Sequence, residues 1–296
     1  PQDSAVALGY FDGVHSGHRA VLGAAVTYAA QHGLTAAAFT FELPGNNSLK
    51  GGRILSLAQK HTRVAQLGIA QYWEPSFEEF RALSPEDFVR RVLVDCFHAK
   101  AVFCGDNFTF GAYAAGNVAL LEQLCAPYGI TVDVVPMAQY GGQTVSSTRI
   151  RAALEEGRLD DANAMLGKPY AIDWAVTHGK GIGSGKLGTP TINQNYPAEA
   201  LQPCTGVYLT RIWLNGQWRP AATGIGRRPT VDSSANAAVT CETFVPDYTG
   251  NVYGRAPVLE FHKYLCPVRK FGSMDELAAL IHHAAEESKA YFAAQH

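Results

Sequence analysis

Gly9-Tyr10-Phe11-Asp12-Gly13-Val14-His15-Ser16-Gly17-His18, entered from the apolar run Val6-Ala7-Leu8, is the stretch that decides the fold. A short apolar strand that breaks into a glycine-rich loop and then opens a helix reads as the first strand-to-helix turn of an open parallel sheet. In such sheets ligands sit beyond the carboxyl ends of the strands, where backbone N–H groups at a helix start meet anions. Gly9, Gly13 and Gly17 let the chain turn tightly and lie close to a ligand. His15 and His18 are three apart, so at a helix start their rings fall on one side. Imidazoles so placed can hydrogen-bond a triphosphate and stabilise charge developing during transfer. Taken alone, a H-x-G-H string is equally a capping loop with two solvent-facing histidines.

Outward from that loop the strand–helix alternation continues. Residues 17–32 read as a helix with Ala20, Val21, Ala24 and Tyr28 on one face, and 35–41 as the next strand. Ser84-Pro85-Glu86-Asp87 is a helix start: a serine cap, proline at the first helical position, and acids near the positive end of the dipole. Phe88, Val89, Val92, Leu93 and Phe97 follow at helical spacing. Residues 101–104 and 130–136 are further strands with a helix over 118–128 between them. Residues 1–167 are therefore expected to form a doubly wound α/β domain on a parallel sheet. Residues 149–165 read as two short helices broken at Glu156-Gly157, and Gly167-Lys168-Pro169 ends the second.

Past that point the grammar changes to strand-like runs at 171–178, 206–214, 218–226, 239–247 and 258–265. Asn215-Gly216 between two of them is a strong hairpin signal. Ser273-x-x-Glu276 is a capping box that opens a helix carrying Leu277, Leu280, Ile281, Ala284 and Tyr291. Residues 168–296 are expected to form a small antiparallel β-barrel of five or six strands with a terminal helix packed outside.

Composition bounds the chemistry without naming it. Of 296 residues, 47% are hydrophobic and 17% charged, enough apolar surface for a core and too little charge for a disordered chain. Lys+Arg 24 against Asp+Glu 26 leaves a formal charge of −2, so a nucleic-acid or anionic-membrane coat is excluded. An anionic ligand must be met by a local device such as the loop above. The 6 cysteines form no C-x-x-C pair and several lie in apolar runs, which points to reduced, buried thiols in a cytoplasmic protein. No stretch reaches the ~18 apolar residues of a membrane helix, and the 10 histidines show no metal spacing with cysteine.

A second string, Ser146-Ser147-Thr148-Arg149-Ile150-Arg151, places hydroxyls at a helix start and an arginine one turn on; alone it is an ordinary cap. With the first loop it resembles the HxGH nucleotidyltransferases, which transfer a nucleotidyl group from an NTP and release pyrophosphate. Gly105-Asp106-Asn107-Phe108-Thr109-Phe110-Gly111 narrows the likeness. With it, the N-terminal half resembles the FMN adenylyltransferase module of bacterial bifunctional FAD synthetases. The C-terminal half resembles their riboflavin kinase module through Gly188-Thr189-Pro190-Thr191-Ile192-Asn193, Gly206-Val207-Tyr208, Cys241-Glu242-Thr243-Phe244, Tyr253-Gly254 and Lys270-Phe271.

The resemblance implies riboflavin phosphorylation by ATP to FMN, then adenylylation of FMN by a second ATP to FAD. It implies that His15 and His18 contact ATP phosphates within a loop that includes Gly9, Phe11, Asp12 and Gly17. Asn107 would orient substrate, and Ser147, Thr148 and Arg151 would hold the phosphates from the other side. In the kinase half Gly188, Pro190, Thr191 and Asn193 would bind ATP, Thr191 and Asn193 would also be Mg²⁺ ligands, and Glu242 would be the general base. From the residues alone, Glu242 in an apolar strand is more often a paired structural acid; the surrounding motifs reverse that. The implied partners are ATP, riboflavin and FMN, with no nucleic acid or membrane, in a monomer or transient homo-oligomer.

The chain departs from the family pattern in three places. No histidine follows Thr40-Phe41, Cys266 and Val268 stand where an arginine and a glutamate precede K-F, and Gly183-Ser184-Gly185-Lys186 stands where a glycine-arginine pair is usual. A narrower reading, adenylyl transfer with a weakened kinase half, therefore stays open, as does a flavin-binding regulator that has lost catalysis.

Overall fold

The structure, a computed structural model, describes residues 2–42, 52–178, 191–227, 239–267 and 274–295. Two compact units divide the chain, Pro1–Lys50 with Leu57–Ser147 and Gly51–Ser56 with Thr148–His296.

The first unit is built on five parallel strands, β1 (Ser4–Leu8), β2 (Thr35–Phe39), β3 (Gln71–Trp73), β4 (Ala99–Gly105) and β5 (Thr131–Val135), in the order β3-β2-β1-β4-β5. Every residue of β1 is buried, which is why past Ser4, whose hydroxyl donates to the Phe97 carbonyl at 2.6 Å, it reads as an unbroken apolar run rather than an alternating one. Helix α1 (Ser16–His32) covers one face of the sheet. On the other, Phe88, Val92, Leu93, Phe97 and Leu121 close over Val6, Leu8, Phe39 and Val102. The buried stripe of α1 is Gly17, Val21, Leu22, Ala25 and Ala29, not the expected Ala20, Val21, Ala24 and Tyr28, and Ala20 is exposed. In a helix this rich in alanine the two faces differ little in hydrophobicity, so contact with the sheet sets the rotation.

Helices α2 (Leu57–Gln66), α3 (Phe77–Phe80) and α4 (Pro85–Phe88) follow. Ser84 caps α4 as expected, its Oγ accepting the Asp87 N–H at 3.1 Å. Beyond Phe88 the helix loosens into a π-type stretch, Val89–Cys96, and the Phe97 N–H reaches back five residues to the Val92 carbonyl. The apolar set Phe88, Val89, Val92, Leu93 and Phe97 is buried throughout. Helix α5 (Val118–Cys125) leads to β5, and a small hairpin, β6 (Gln139–Tyr140) and β7 (Gln143–Thr144), follows it. The chain lays down β1, β2 and β3 in one direction across the sheet and β4, β5 in the other. The reversal lies between β1 and β4, and the loops after both strands open at that switch point, where parallel sheets present their crevice.

Helix α6 (Ser147–Glu155), which from Thr148 on belongs to the second unit, is followed there by α7 (Leu159–Leu166), closed by Gly167 in the left-handed conformation (φ 68°). The sheet of this unit is antiparallel: β8 (Tyr170–Ile172), β9 (Val176–Thr177), β10 (Thr191–Asn195), β11 (Gly206–Leu214), β12 (Gln217–Arg227), β13 (Val239–Phe244) and β14 (Leu259–Cys266). The order is β8-β14-β11-β12-β13-β10-β9. Among the described residues there are seven strands rather than five or six. The expected strand over 171–178 divides into β8 and β9, and the stretch starting at Thr191 supplies β10. The strands at the two edges, β8 and β9, are separated by residues 173–175 alone. Those few residues span at most ~14 Å, whereas the edges of a flat sheet of this width would lie ~29 Å apart. The sheet must therefore curl until its edges approach, which is the barrel expected from the sequence.

Asn215 (φ 51°) and Gly216 (φ 81°) make the predicted tight turn between β11 and β12. Inside the curl, the hydroxyls of Thr210, Thr223 and Thr243 form a buried chain at 2.8 and 2.9 Å, so each finds a partner away from water. The terminal helix α8 (Met274–Ala293) packs on β11 and β12, with Ser288 Oγ donating to the Thr210 carbonyl at 3.0 Å. The capping serine proposed for it, Ser273, lies outside the described residues.

Near that helix, Arg211 Nε donates to Glu260 at 2.6 Å, His262 Nε2 lies 3.2 Å from the same carboxylate, and the Arg211 guanidinium covers the Trp218 ring at 4.5 Å. Burial pushes the Glu260 carboxyl up, but hydrogen bonds from His262 and Arg211 outweigh it and hold the group below its ordinary value. A carboxyl depressed in the folded state stabilises above its unfolded value of ~4.3 and loses that contribution as pH falls through the folded value. We expect this unit to lose stability as pH falls below about 4.3, and Glu260→Gln to flatten that acid limb, read by urea unfolding near neutrality and near pH 3.

All 6 cysteines are free thiols. Burial pushes Cys104 up to about 11 and Cys125 and Cys241 up to about 12, so these three are inert. Among the described residues no helix is long and apolar enough to cross a membrane.

Candidate active sites

The first site grows from the loop after β1. Phe11 (φ 52°), Gly13 (φ 87°) and Val14 (φ 43°) are left-handed within four residues, a run in which only glycine is unstrained. Turns of this kind aim successive backbone N–H groups into one concavity that suits an anion. The strain, about 1–3 kcal/mol for each non-glycine residue, is held by packing. Phe11 is buried, its ring meets His18 edge-on at 5.4 Å, and it lies so close over Gly9 that a Cβ there would sit 2.7 Å from a ring carbon. Gly9→Ala is therefore expected to cost about 1–3 kcal/mol by overpacking, visible as a lowered thermal transition of the first unit.

His15 caps α1 with its side chain: its Nδ1 accepts the His18 backbone N–H at 3.3 Å. That contact fixes the tautomer, because a neutral ring accepting at Nδ1 carries its proton on Nε2. The two imidazoles stack at 3.5 Å with 18° between planes, so the expected same-side placement is realised as a single stacked unit. Gly17 keeps the stack open below, where a Cβ would lie 3.3 Å from the His15 ring.

Asp12 is buried, and its carbonyl accepts the Ser147 hydroxyl at 2.8 Å, which ties Ser147 directly to the first loop. Asn107 is exposed on the loop after β4, where its Oδ1 would lie 3.4 Å from a Cβ on Gly105. Thr148 is exposed on the first turn of α6. Arg151 is buried and its Nε donates to the Gly52 carbonyl at 2.9 Å, a contact that no motif announces. Also unmarked by any motif is a buried polar cluster behind the loop, in which Lys60 joins Thr40 and Glu74.

The second site lies on the barrel. Antiparallel register sets Asn193 of β10 directly opposite Glu242 of β13, with Gly224 of β12 on the other flank. Glu242 is exposed between buried Cys241 and Thr243, so the pleat turns the carboxylate outward. Thr191, two residues before Asn193, shares its face, and Asn193 Nδ2 donates to the Thr191 carbonyl at 3.2 Å. Gly188 and Pro190 lie outside the described residues, as do Gly185-Lys186 and Val268; Cys266 ends β14, half-buried.

Comparison with known proteins follows the same division. The FAD synthetase family model matches residues 1–149 and the riboflavin kinase model residues 166–292. A Bacillus subtilis bifunctional riboflavin kinase/FMN adenylyltransferase is 33% identical over 98% of this chain and 92% of its own length. The protein of that description from Pseudomonas fluorescens is 32% identical over 93% of this chain and 88% of its own. Among solved structures, a Streptococcus pneumoniae chain described as a macrolide-efflux protein superposes with a TM-score of 0.85 at 26% identity, covering 98% of this chain and 94% of that one.

Proposed function

The chain belongs to the bifunctional riboflavin kinase/FMN adenylyltransferase family, and from that premise we propose that it makes FAD in two steps, one in each half. Residues 168–296 phosphorylate riboflavin with ATP, and residues 1–167 adenylylate the resulting FMN with a second ATP. The observation that supports the kinase step is the Asn193–Glu242 register, which puts an exposed carboxylate beside Thr191 and Asn193, read here as the phosphate-binding element. Glu242 takes the proton of the ribityl 5′-hydroxyl as that oxygen attacks the γ-phosphorus of ATP. The bond to the β–γ bridging oxygen breaks and ADP leaves.

In the adenylyl transfer a phosphate oxygen of FMN attacks the α-phosphorus of ATP and pyrophosphate departs. The attacking oxygen is already ionised, so the site needs position and charge stabilisation rather than a base. His15 supplies its Nε2–H, His18 is stacked against it, and the loop from Gly9 to Gly17 offers backbone N–H groups. Ser147, Thr148 and Arg151 are read as further phosphate ligands and Asn107 as the group that orients substrate.

Magnesium is part of the same reading. Asn193 commits amide protons to Thr191, so what the pair turns toward a cation is neutral oxygen. Among the described residues no group of three or more His, Cys, Asp or Glu could hold a metal. That donor set fits Mg²⁺, which takes few protein ligands and keeps waters and phosphate oxygens. Held by Thr191 and Asn193 with ATP, it would neutralise charge on the transferring phosphates. We also read the protein as a cytoplasmic enzyme of small molecules, monomeric or transiently homo-oligomeric, without nucleic-acid or membrane partners. Its free thiols and near-neutral charge support this.

Purified protein given riboflavin, ATP and Mg²⁺ is expected to accumulate FMN and then FAD. Recovery of neither overturns the proposal. FAD from FMN but never from riboflavin would establish the narrower adenylyltransferase reading instead.

A further inference from the structure

The cluster behind the first loop is costly to bury. Lys60 on α2 is 5% exposed, with Nζ 2.7 Å from Glu74 Oε1, 2.9 Å from Thr40 Oγ1 and 5.0 Å from the centre of the Tyr10 ring. Thr40, fully buried at the end of β2, donates its hydroxyl proton to the Tyr10 carbonyl at 2.9 Å. Glu74, just past β3, is fixed on its other oxygen by the Tyr72 hydroxyl at 2.7 Å. Burial and the neighbouring carboxylate raise Tyr72 far above its ordinary value, so it remains a donor at every physiological pH.

The chain of contacts therefore runs from β3 through α2 to the end of β2, and finishes on the backbone of Tyr10 inside the phosphate-binding loop. Tyr10 is held on its ring as well, stacked at 5.3 Å on Phe41, which in turn meets Phe77 at 5.1 Å. Removing two charges from water is rarely repaid in stability, and apolar replacement of a buried pair is often neutral or stabilising. What an ion pair can provide that leucine and methionine cannot is a directed hold on a carbonyl through an intervening hydroxyl.

We propose that Lys60 is a positioning residue for adenylyl transfer: anchored by Glu74, it orients the Thr40 hydroxyl onto the Tyr10 carbonyl and cradles the Tyr10 ring, fixing the Gly9–His15 loop in its left-handed, phosphate-binding form. This rests on the adenylyltransferase reading of that loop. Its effect is exerted through Thr40 and Tyr10, since Lys60 itself is enclosed.

The test replaces the pair together, Lys60→Met with Glu74→Met, so that no unpaired charge is left behind. The double variant is expected to unfold within a few degrees of the parent and to phosphorylate riboflavin normally. Its kcat for FMN adenylylation should fall tenfold to a hundredfold, about what an ångström-scale misplacement costs, with KM for ATP little changed. Amide hydrogen exchange across residues 9–15 should rise. An unchanged kcat together with unchanged exchange overturns the proposal, and so does an equal loss in both reactions. Should the double variant not fold, Thr40→Val decides, because it deletes only the linking hydroxyl: a fall in kcat supports the proposal and an unchanged kcat overturns it. If the parent protein makes no FAD from FMN, the functional reading fails, and the exchange measurement alone judges whether Lys60 holds the loop.

Discussion

His15→Ala is expected to lower the conversion of FMN to FAD by about 10²–10³-fold, the usual effect of removing one preorganised donor from developing charge, while riboflavin phosphorylation continues at its normal rate. The split is the informative part. His15 sits in the first unit, and the kinase elements, β10 and β13, belong to the second. Parallel assays of FMN and FAD production from the same preparation therefore separate a catalytic loss from a folding loss. The loss of stability should be modest, about 1 kcal/mol, because the side chain also caps α1 through its Nδ1. His18→Ala should behave similarly, and the double variant should be little worse than the more damaging single one. Rings stacked at 3.5 Å act as one device, and removing either disorders both. Strictly additive losses would mean that the two imidazoles work independently.

The legibility of this site follows from where its parts lie in the chain. The loop from Gly9 to His18 carries its glycines, its helix start and both imidazoles in ten consecutive positions, so pattern alone predicts its place in the fold. The rotation of α1 was not legible, because alanine on both faces gives the hydrophobic effect nothing to choose between. Strand β10 escaped notice for a related reason: Asn193, Gln194 and Asn195 are poor strand formers. Gln194 is tolerated in the strand because tertiary partners meet it, its Nε2 donating to the carbonyls of Trp174 at 2.7 Å and Pro257 at 3.1 Å. The Lys60 cluster gathers residues from α2 and from the segments just after β2 and β3, each unremarkable in its own stretch. A lysine on an amphipathic helix is ordinarily read as solvated. Only the tertiary arrangement shows that it is enclosed.

Register decides the second large effect. Residues 193 and 242 are far apart in sequence, and a slip of one position in the β10–β13 pairing would send the Glu242 side chain into the barrel, away from Asn193. The observed pairing makes Glu242 an exposed carboxylate beside Thr191 and Asn193, with glycine rather than a covering side chain at position 224. Glu242→Gln keeps the shape and removes the proton acceptor. It is expected to slow riboflavin phosphorylation by about 10²–10⁴-fold, the span attributed to a positioned general base, and to leave FAD formation from added FMN intact. Because the residue is exposed, the unfolding transition should stay within about 0.5 kcal/mol of the parent, as for ordinary surface changes. The same variant tests whether Cys266, standing where the family carries arginine, has already silenced the kinase. A silent half would show no phosphorylation to lose, whereas a working one shows the full drop. A parent that phosphorylates riboflavin and a Glu242→Gln variant that does so equally well would remove Glu242 from the mechanism and return it to the role of a surface acid.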